Sequence, residues 1–167
     1  MTACFVLLST LLTVIEITLR SRGIILPLLP CWIFYLSVLC GWKKTVVFAL
    51  LLGITMDLLC ACPFPIHIFT YNAVQLPAVV WLNRVDSDSF VSLLLPGSLL
   101  PLIVYIPQTL LTSWHSFVYF LPHVIPVCLV SAWLLPLMIL LLDSLANMLS
   151  FPLYANVKLQ MKRGNLL

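Results

Sequence analysis

Long apolar runs separated by short polar stretches divide this chain into six segments. The runs lie near residues 3–19, 24–41, 45–62, 64–82, 89–112 and 120–142. A helix that crosses the hydrocarbon core of a membrane needs about 20 mainly apolar residues, and about 17 at the short end. Because lipid offers the backbone no hydrogen bonds, such runs must be helices rather than isolated strands. The pattern predicts an all-α bundle of six transmembrane helices that forms a single integral-membrane domain over residues 1–167.

The composition favours the same class. Hydrophobic residues make up 63% of the chain and charged residues only 8%, with a mean hydropathy of +1.18. A soluble domain carries about 25% charged residues to cover its surface. We therefore expect contact with membrane lipid, and because the net charge of +3 forms no basic face, we expect no nucleic-acid partner.

The basic residues orient the predicted spans. With six spans, one side of the membrane holds Lys43, Lys44, Arg84, Lys158, Lys162 and Arg163. Only Arg20 and Arg22 lie on the other side, so the positive-inside rule predicts that both termini are cytoplasmic. Residues 143–167 then form a basic cytoplasmic tail. If run 24–41 were re-entrant, all eight basic residues would share one side, and this five-span alternative stays open.

Prolines are concentrated in the last two runs. These two runs contain Pro96, Pro101, Pro107, Pro122, Pro126 and Pro136. Each removes a backbone donor and can kink its helix, so we expect the fifth and sixth helices to be bent or partly broken.

An aspartate lies deep in the third run, on a face of small residues. Ala49, Gly53 and Asp57 follow one another at four-residue spacing, which places them on one side of a helix. Small residues let helix backbones approach closely in lipid. His67 and Tyr71 share a face of the fourth run, and a short turn would bring one of them to Asp57. We expect a structural helix seam; proton relay or ligand binding by Asp57 is the alternative.

Two further acids, Glu16 and Asp143, are interpreted as interfacial. Glu16 precedes Arg20 by four residues, the better orientation for a helical ion pair, and Asp143 lies at the opposite edge of the membrane. A catalytic pair of Asp57 and Asp143 lacks the glycine-rich motifs of intramembrane aspartic proteases, and six spans place the two acids toward opposite sides. We predict no catalytic residue and no enzymatic activity.

The six cysteines are interpreted as small apolar side chains. They form no CxxC pair and no cluster with histidine at ligand spacing. Cys60 and Cys62 are the closest pair, but they offer two sulfurs without other obvious ligands. We therefore expect neither a metal site nor a cofactor.

Residues 27–75 resemble the rod shape-determining protein family MreD. The resemblance lies in "PLLPCWIFYLSVLCGW" and "LLLGITMDLLCACPFPIHIFTYNAV". That family starts its second helix with a proline, where Pro30 fits. Its third helix carries a glycine and an aspartate, where Gly53 and Asp57 fit, and a small or proline-rich turn such as residues 63–65 precedes the fourth.

The resemblance implies a non-enzymatic subunit of the bacterial cell-elongation machinery in the inner membrane. Its partners would be an MreC-like single-span periplasmic protein and, indirectly, RodA, a class-B penicillin-binding transpeptidase and MreB. The family fold is similar to the substrate-binding subunits of energy-coupling-factor transporters. A vitamin or small-solute transporter subunit is therefore the alternative function, although the first run lacks the docking face of small residues that such subunits carry.

Overall fold

The described part of the chain consists of helices and short connections. A computed structural model describes residues 2–62, 64–84, 90–112 and 114–148, and it has no strand within these ranges. The helices there are α1 (Thr2–Ser21), α2 (Leu28–Cys40), α3 (Trp42–Leu59), α4 (Ile66–Ala73), α5 (Gln75–Arg84), α6 (Phe90–Thr112) and α7 (Trp114–Met148). The predicted all-α class is confirmed.

Helix α2 lies at the centre of the bundle. All residues from Leu28 to Leu39 are buried, and the helix contacts α1, α3, α5, α6 and α7. Pro30 lies in its first turn, where the missing N–H group would have no partner within the helix. The indole Nε1–H of Trp32 donates to Ser9 Oγ at 2.8 Å and joins α2 to α1. The proline-led run 24–41 therefore forms the core on which the other helices pack. Whether this run crosses a membrane stays open.

Two helices in the described ranges are long and apolar enough to cross a membrane, namely Leu93–Leu111 within α6 and Pro122–Ser144 within α7. The core helix of a soluble protein passes the same test, but only 39% of each segment is buried inside this chain. Helix lengths do not support the six predicted spans. Helix α2 has 13 residues, α4 has 8 and α5 has 10, whereas a span needs about 17.

The prolines do not break the helices that contain them. Helices α6 and α7 continue through all six prolines within the described ranges, so the predicted partial breaks do not occur there. A proline removes the donor for the carbonyl four residues earlier, and for Pro101 that carbonyl belongs to Gly97. The hydroxyl of Ser131, on α7, donates to Gly97 O at 2.6 Å and replaces the lost hydrogen bond.

The interruption lies instead in the fourth predicted run. Helix α4 ends at Ala73 and α5 begins at Gln75, with Val74 between them. Pro77 cannot donate to the carbonyl of Ala73, and proline is best tolerated in the first turn of a helix. A new helix start before Pro77 therefore satisfies the local backbone better than one continuous helix.

Helices α3 and α4 form a hairpin in which their backbones touch. Ala49 and Gly53 are buried on the face of α3 that the sequence predicted, and Thr45, four residues before Ala49, is buried as well. A Cβ atom on Gly53 would lie 2.6 Å from the Cα atom of Ile68, which is closer than real side chains approach. Gly53 is therefore required by the contact with α4.

We predict that Gly53→Ala lowers the free energy of unfolding by about 1 to 2 kcal/mol. Overpacking costs about 1 to 3 kcal/mol, and the better helix propensity of alanine returns up to about 1 kcal/mol. The obstructing atom belongs to the backbone, so no side-chain rotation relieves the clash. Chemical unfolding of the purified protein in detergent measures the change.

The matched control is Leu51→Ala, at a position on α3 that is 59% exposed. It should change the free energy of unfolding by no more than about 0.5 kcal/mol. Equal stability of Gly53→Ala and the parent protein would contradict the close contact.

Candidate functional site

Two helices of the bundle begin directly after a proline and without a capping side chain of their own. Helix α2 follows Pro27 and α4 follows Pro65, and neither proline makes a side-chain cap. The first N–H groups of a helix have no partner within the helix and need acceptors from elsewhere. In both cases the acceptor is a carboxylate from the preceding helix.

Asp57, near the end of α3, caps α4. Its Oδ1 accepts hydrogen bonds from the backbone N–H of His67 at 3.0 Å and from the ring Nδ1–H of His67 at 2.7 Å. Its Oδ2 accepts from the backbone N–H of Ile68 at 3.3 Å. A negative charge is also favoured at a helix N-terminus by the helix dipole. Asp57 therefore closes the α3–α4 hairpin at its turn.

Glu16, on α1, caps α2 in the same way. Its Oε2 accepts from the backbone N–H of Leu29 at 2.7 Å, and its Oε1 accepts from Nη2 of Arg20 at 3.0 Å. The Glu16 side chain is completely buried, whereas 23% of the Arg20 side chain is exposed. The predicted pair of Glu16 and Arg20 is present, and Glu16 has the additional role of a cap inside the bundle.

Arg20 connects the two caps. Its Nη1 lies 3.3 Å from Nε2 of His67. A guanidinium group only donates hydrogen bonds, so Nε2 is the acceptor and Nδ1 carries the proton that His67 donates to Asp57. We call Glu16, Arg20, His67 and Asp57 the polar network; it joins α1, α3 and α4. The Arg20 guanidinium also lies 5.4 Å from the ring centroid of Tyr105 on α6, within reach of a cation–π contact.

Cys62 lies beside the polar network but does not complete a catalytic triad. Its Sγ is 3.8 Å from Nδ1 of His67, the same nitrogen that donates to Asp57. In a nucleophile–histidine–acid triad the nucleophile and the acid contact different ring nitrogens. Here Nε2 faces Arg20, so this geometry does not prepare Cys62 as a nucleophile.

An open pocket of about 150 Å³ lies beside Arg20. Its lining consists of Arg20, Ile25, Tyr105, Gln108 and Thr109. Pockets that bind small molecules usually measure about 300 to 1,000 Å³. This pocket is therefore too small to enclose a vitamin-sized ligand.

The other residues singled out from the sequence are buried in the bundle, with the exception of Asp143. Pro30, Ala49 and Gly53 are buried where helices pack. Tyr71 is completely buried with its ring edge-on to His67, at 5.6 Å between ring centroids, and its hydroxyl has no hydrogen-bond partner among the described residues. Asp143 is partly exposed on α7, and its predicted interfacial location stays a prediction.

Sequence reasoning did not anticipate the cap from Glu16, the contact between Arg20 and His67, or the approach of Cys62 to His67. A signal for the caps was available. Pro27 and Pro65 precede helices with no Ser, Thr, Asp or Asn at the start, so each helix needed an acceptor from another segment. No comparable signal existed for Cys62, because its position depends on the shape of the turn.

Comparison with known proteins adds no relative. No family model matches the chain, and neither the curated proteins nor the solved structures give a match.

We predict that Glu16→Ala destabilises the protein more than Asp57→Ala. Loss of Glu16 removes the cap of α2 and separates Arg20 from its carboxylate, and removing one partner of a buried ion pair costs about 3 to 5 kcal/mol. Loss of Asp57 removes a cap and the acceptor of the His67 ring, for about 1 to 3 kcal/mol. Chemical unfolding in detergent gives both values.

Glu16→Gln is the control that separates capping from charge. Its amide oxygen still accepts from Leu29, so it should retain more stability than Glu16→Ala. Equal losses for Glu16→Ala and Asp57→Ala would contradict the assigned roles.

Proposed function

We propose that this chain is a non-enzymatic scaffold subunit in the inner membrane of a bacterium, acting in the cell-elongation machinery as the MreD family does. The motifs at residues 27–75 motivate the family. The polar network carries the choice of a scaffold over an enzyme or a transporter.

The polar groups of the network are bonded to one another and to helix ends. Both oxygens of Asp57 accept hydrogen bonds from α4, and both oxygens of Glu16 accept from α2 or Arg20. These carboxylates are used to hold helices together, which favours a structural role.

The surface supports contact with lipid. Large apolar side chains point outward on several helices, and Leu58 is 76% exposed, Phe69 71% and Ile125 71%. A soluble protein rarely exposes a large apolar area without a partner. The proposal includes six crossings of the membrane, with both termini in the cytoplasm. Helices α4 and α5 together form one crossing, and each of the other five helices forms one.

The proposed direct partner is an MreC-like single-span periplasmic protein. Through it the chain would support RodA, a class-B penicillin-binding transpeptidase and MreB in lateral peptidoglycan synthesis. The exposed apolar helix faces are suited to receive a partner's transmembrane helix. The alternative function is a substrate-binding subunit of a vitamin or small-solute transporter, for which the pocket beside Arg20 has room only for a solute smaller than a vitamin.

We predict that the tagged chain, co-expressed with the MreC-like protein of the same cell, forms a complex that survives detergent extraction and gel filtration. Asp57→Ala should reduce the yield of this complex together with the stability of the chain, because the α3–α4 hairpin loses its cap. Lys44→Ala is the control, because Lys44 is exposed, is not apolar and lies outside the polar network, and it should leave the complex intact.

A folded chain that binds no such protein would contradict the scaffold. Co-purification of a vitamin or of an ATPase pair would favour the transporter. The same conclusion follows if Asp57→Ala keeps its stability and partner but abolishes solute uptake.

We further predict that Arg22→Cys and Lys44→Cys react with a membrane-impermeant thiol reagent from opposite sides of the membrane. Both residues are exposed and lie outside the polar network, so the substitutions preserve the bundle. Labelling is compared with the parent protein, whose own cysteines set the background. Labelling of both positions from one side would contradict six spans and indicate five.

A further inference from the structure

Three side chains of different chemistry meet where α3 turns into α4. Asp57 lies in the last turn of α3, Cys62 in the connection, and His67 is the second residue of α4. One oxygen, one sulfur and one nitrogen from these residues all lie within 4.8 Å of one another. His67 is buried and the other two are partly exposed, so the group is open to solvent on one side.

The backbone of the turn brings Cys62 to this position. Ala61 has φ +48°, and it is the one non-glycine residue with positive φ in the described ranges. The N–H groups of Ala61 and Cys62 donate to the carbonyls of Leu58 and Asp57 at 3.3 and 3.0 Å, as in a Schellman helix end. A left-handed residue other than glycine costs about 1 to 2 kcal/mol. Such backbone strain is concentrated at functional positions.

The ligand types and distances fit a zinc ion. Cysteine sulfur, histidine nitrogen and carboxylate oxygen are the ligands that Zn²⁺ prefers. From Zn–N and Zn–O bonds of about 2.0 Å and Zn–S bonds of about 2.3 Å, ligand atoms at tetrahedral angles lie about 3.3 to 3.6 Å apart. Cys62 Sγ and His67 Nδ1 are 3.8 Å apart. Asp57 Oδ1 and His67 Nδ1 are 2.7 Å apart because a proton now joins them, and they would separate by about half an ångström around a metal ion.

The charges of the site also favour a cation. Glu16 and Arg20 neutralise each other, which leaves the Asp57 carboxylate without a cation while His67 is neutral. A divalent ion bound by Asp57 and by the thiolate of Cys62 brings the whole group to zero net charge, and charges that leave water need such pairing.

We propose that Asp57, Cys62 and His67 bind Zn²⁺, with water as the fourth ligand. The ion displaces the thiol proton of Cys62 to solvent. His67 stays neutral and binds through Nδ1, so its ring proton moves through solvent to Nε2. That proton then opposes Arg20 Nη1, and Arg20 leaves His67 while it keeps Glu16 and the ring of Tyr105. Zinc binding thus separates the two caps that Arg20 connects in the metal-free protein.

The site is tested with Co²⁺, which gives an optical signal in place of Zn²⁺. The full-length protein in detergent is stripped with a chelator and titrated with CoCl₂. We expect one Co²⁺ per chain, a thiolate-to-cobalt charge-transfer band, visible bands of tetrahedral intensity, and loss of all bands when ZnCl₂ is added.

Two cysteine variants separate this site from adventitious binding. Cys62→Ser should remove the charge-transfer band. It should also lower the affinity for Co²⁺ by more than the factor of about 10 to 100 that is typical when a residue next to a metal ligand is lost. Cys60→Ser, two residues away at an exposed position, should retain both band and affinity. Cys62 is partly exposed in a turn, so its substitution by serine leaves the bundle folded, which the unfolding midpoint of the stripped protein verifies.

Three results would overturn the proposal. They are the absence of a charge-transfer band in the parent protein, an unchanged band in Cys62→Ser, and loss of the band in Cys60→Ser. The metal measurement needs no partner protein, so its outcome is independent of the scaffold function.

Discussion

A helix that begins in apolar surroundings must find acceptors for its first N–H groups, and this requirement organises the described bundle. Helices α2 and α4 begin after prolines that carry no capping side chain, and Glu16 and Asp57 supply the missing oxygens from α1 and α3. Helices α1 to α4 thus form two pairs, each closed by one carboxylate. Arg20 and His67 join the carboxylates, so that packing of the pairs and capping of their helices depend on the same four side chains.

The same requirement explains the contact between α6 and α7. Pro101 leaves the carbonyl of Gly97 without its donor inside α6, and the hydroxyl of Ser131 on α7 supplies one. Gly97 also lies so close to Ala132 that a Cβ atom there would be 3.0 Å from its Cα atom. The close approach that glycine permits is therefore what lets the hydroxyl reach the carbonyl. A residue that would break an isolated helix becomes a point of attachment between two helices.

Part of this arrangement could be predicted from the sequence. Four-residue spacing placed Ala49, Gly53 and Asp57 on one face, and a short connection to His67 left few ways to pair the helices. The cap from Glu16 to Leu29 could not be predicted in this way, because no helical periodicity crosses a turn. The approach of Cys62 to His67 depends on the positive φ of Ala61. It could not be predicted, because alanine normally adopts a helical or extended backbone. The predicted span count relied on apolar run length, whereas helix length is set by local breaks such as that before Pro77.

The order of the acids along the chain bears on how the protein is made. Glu16 precedes the helix it caps by a dozen residues, and Asp57 precedes its helix by fewer. Each acceptor has therefore been synthesised before the N–H groups that require it. Each pair of helices contains both its donors and their acceptor, so it can close without waiting for later segments. Neither helix start has to remain with unpaired donors until a later segment of the chain is made.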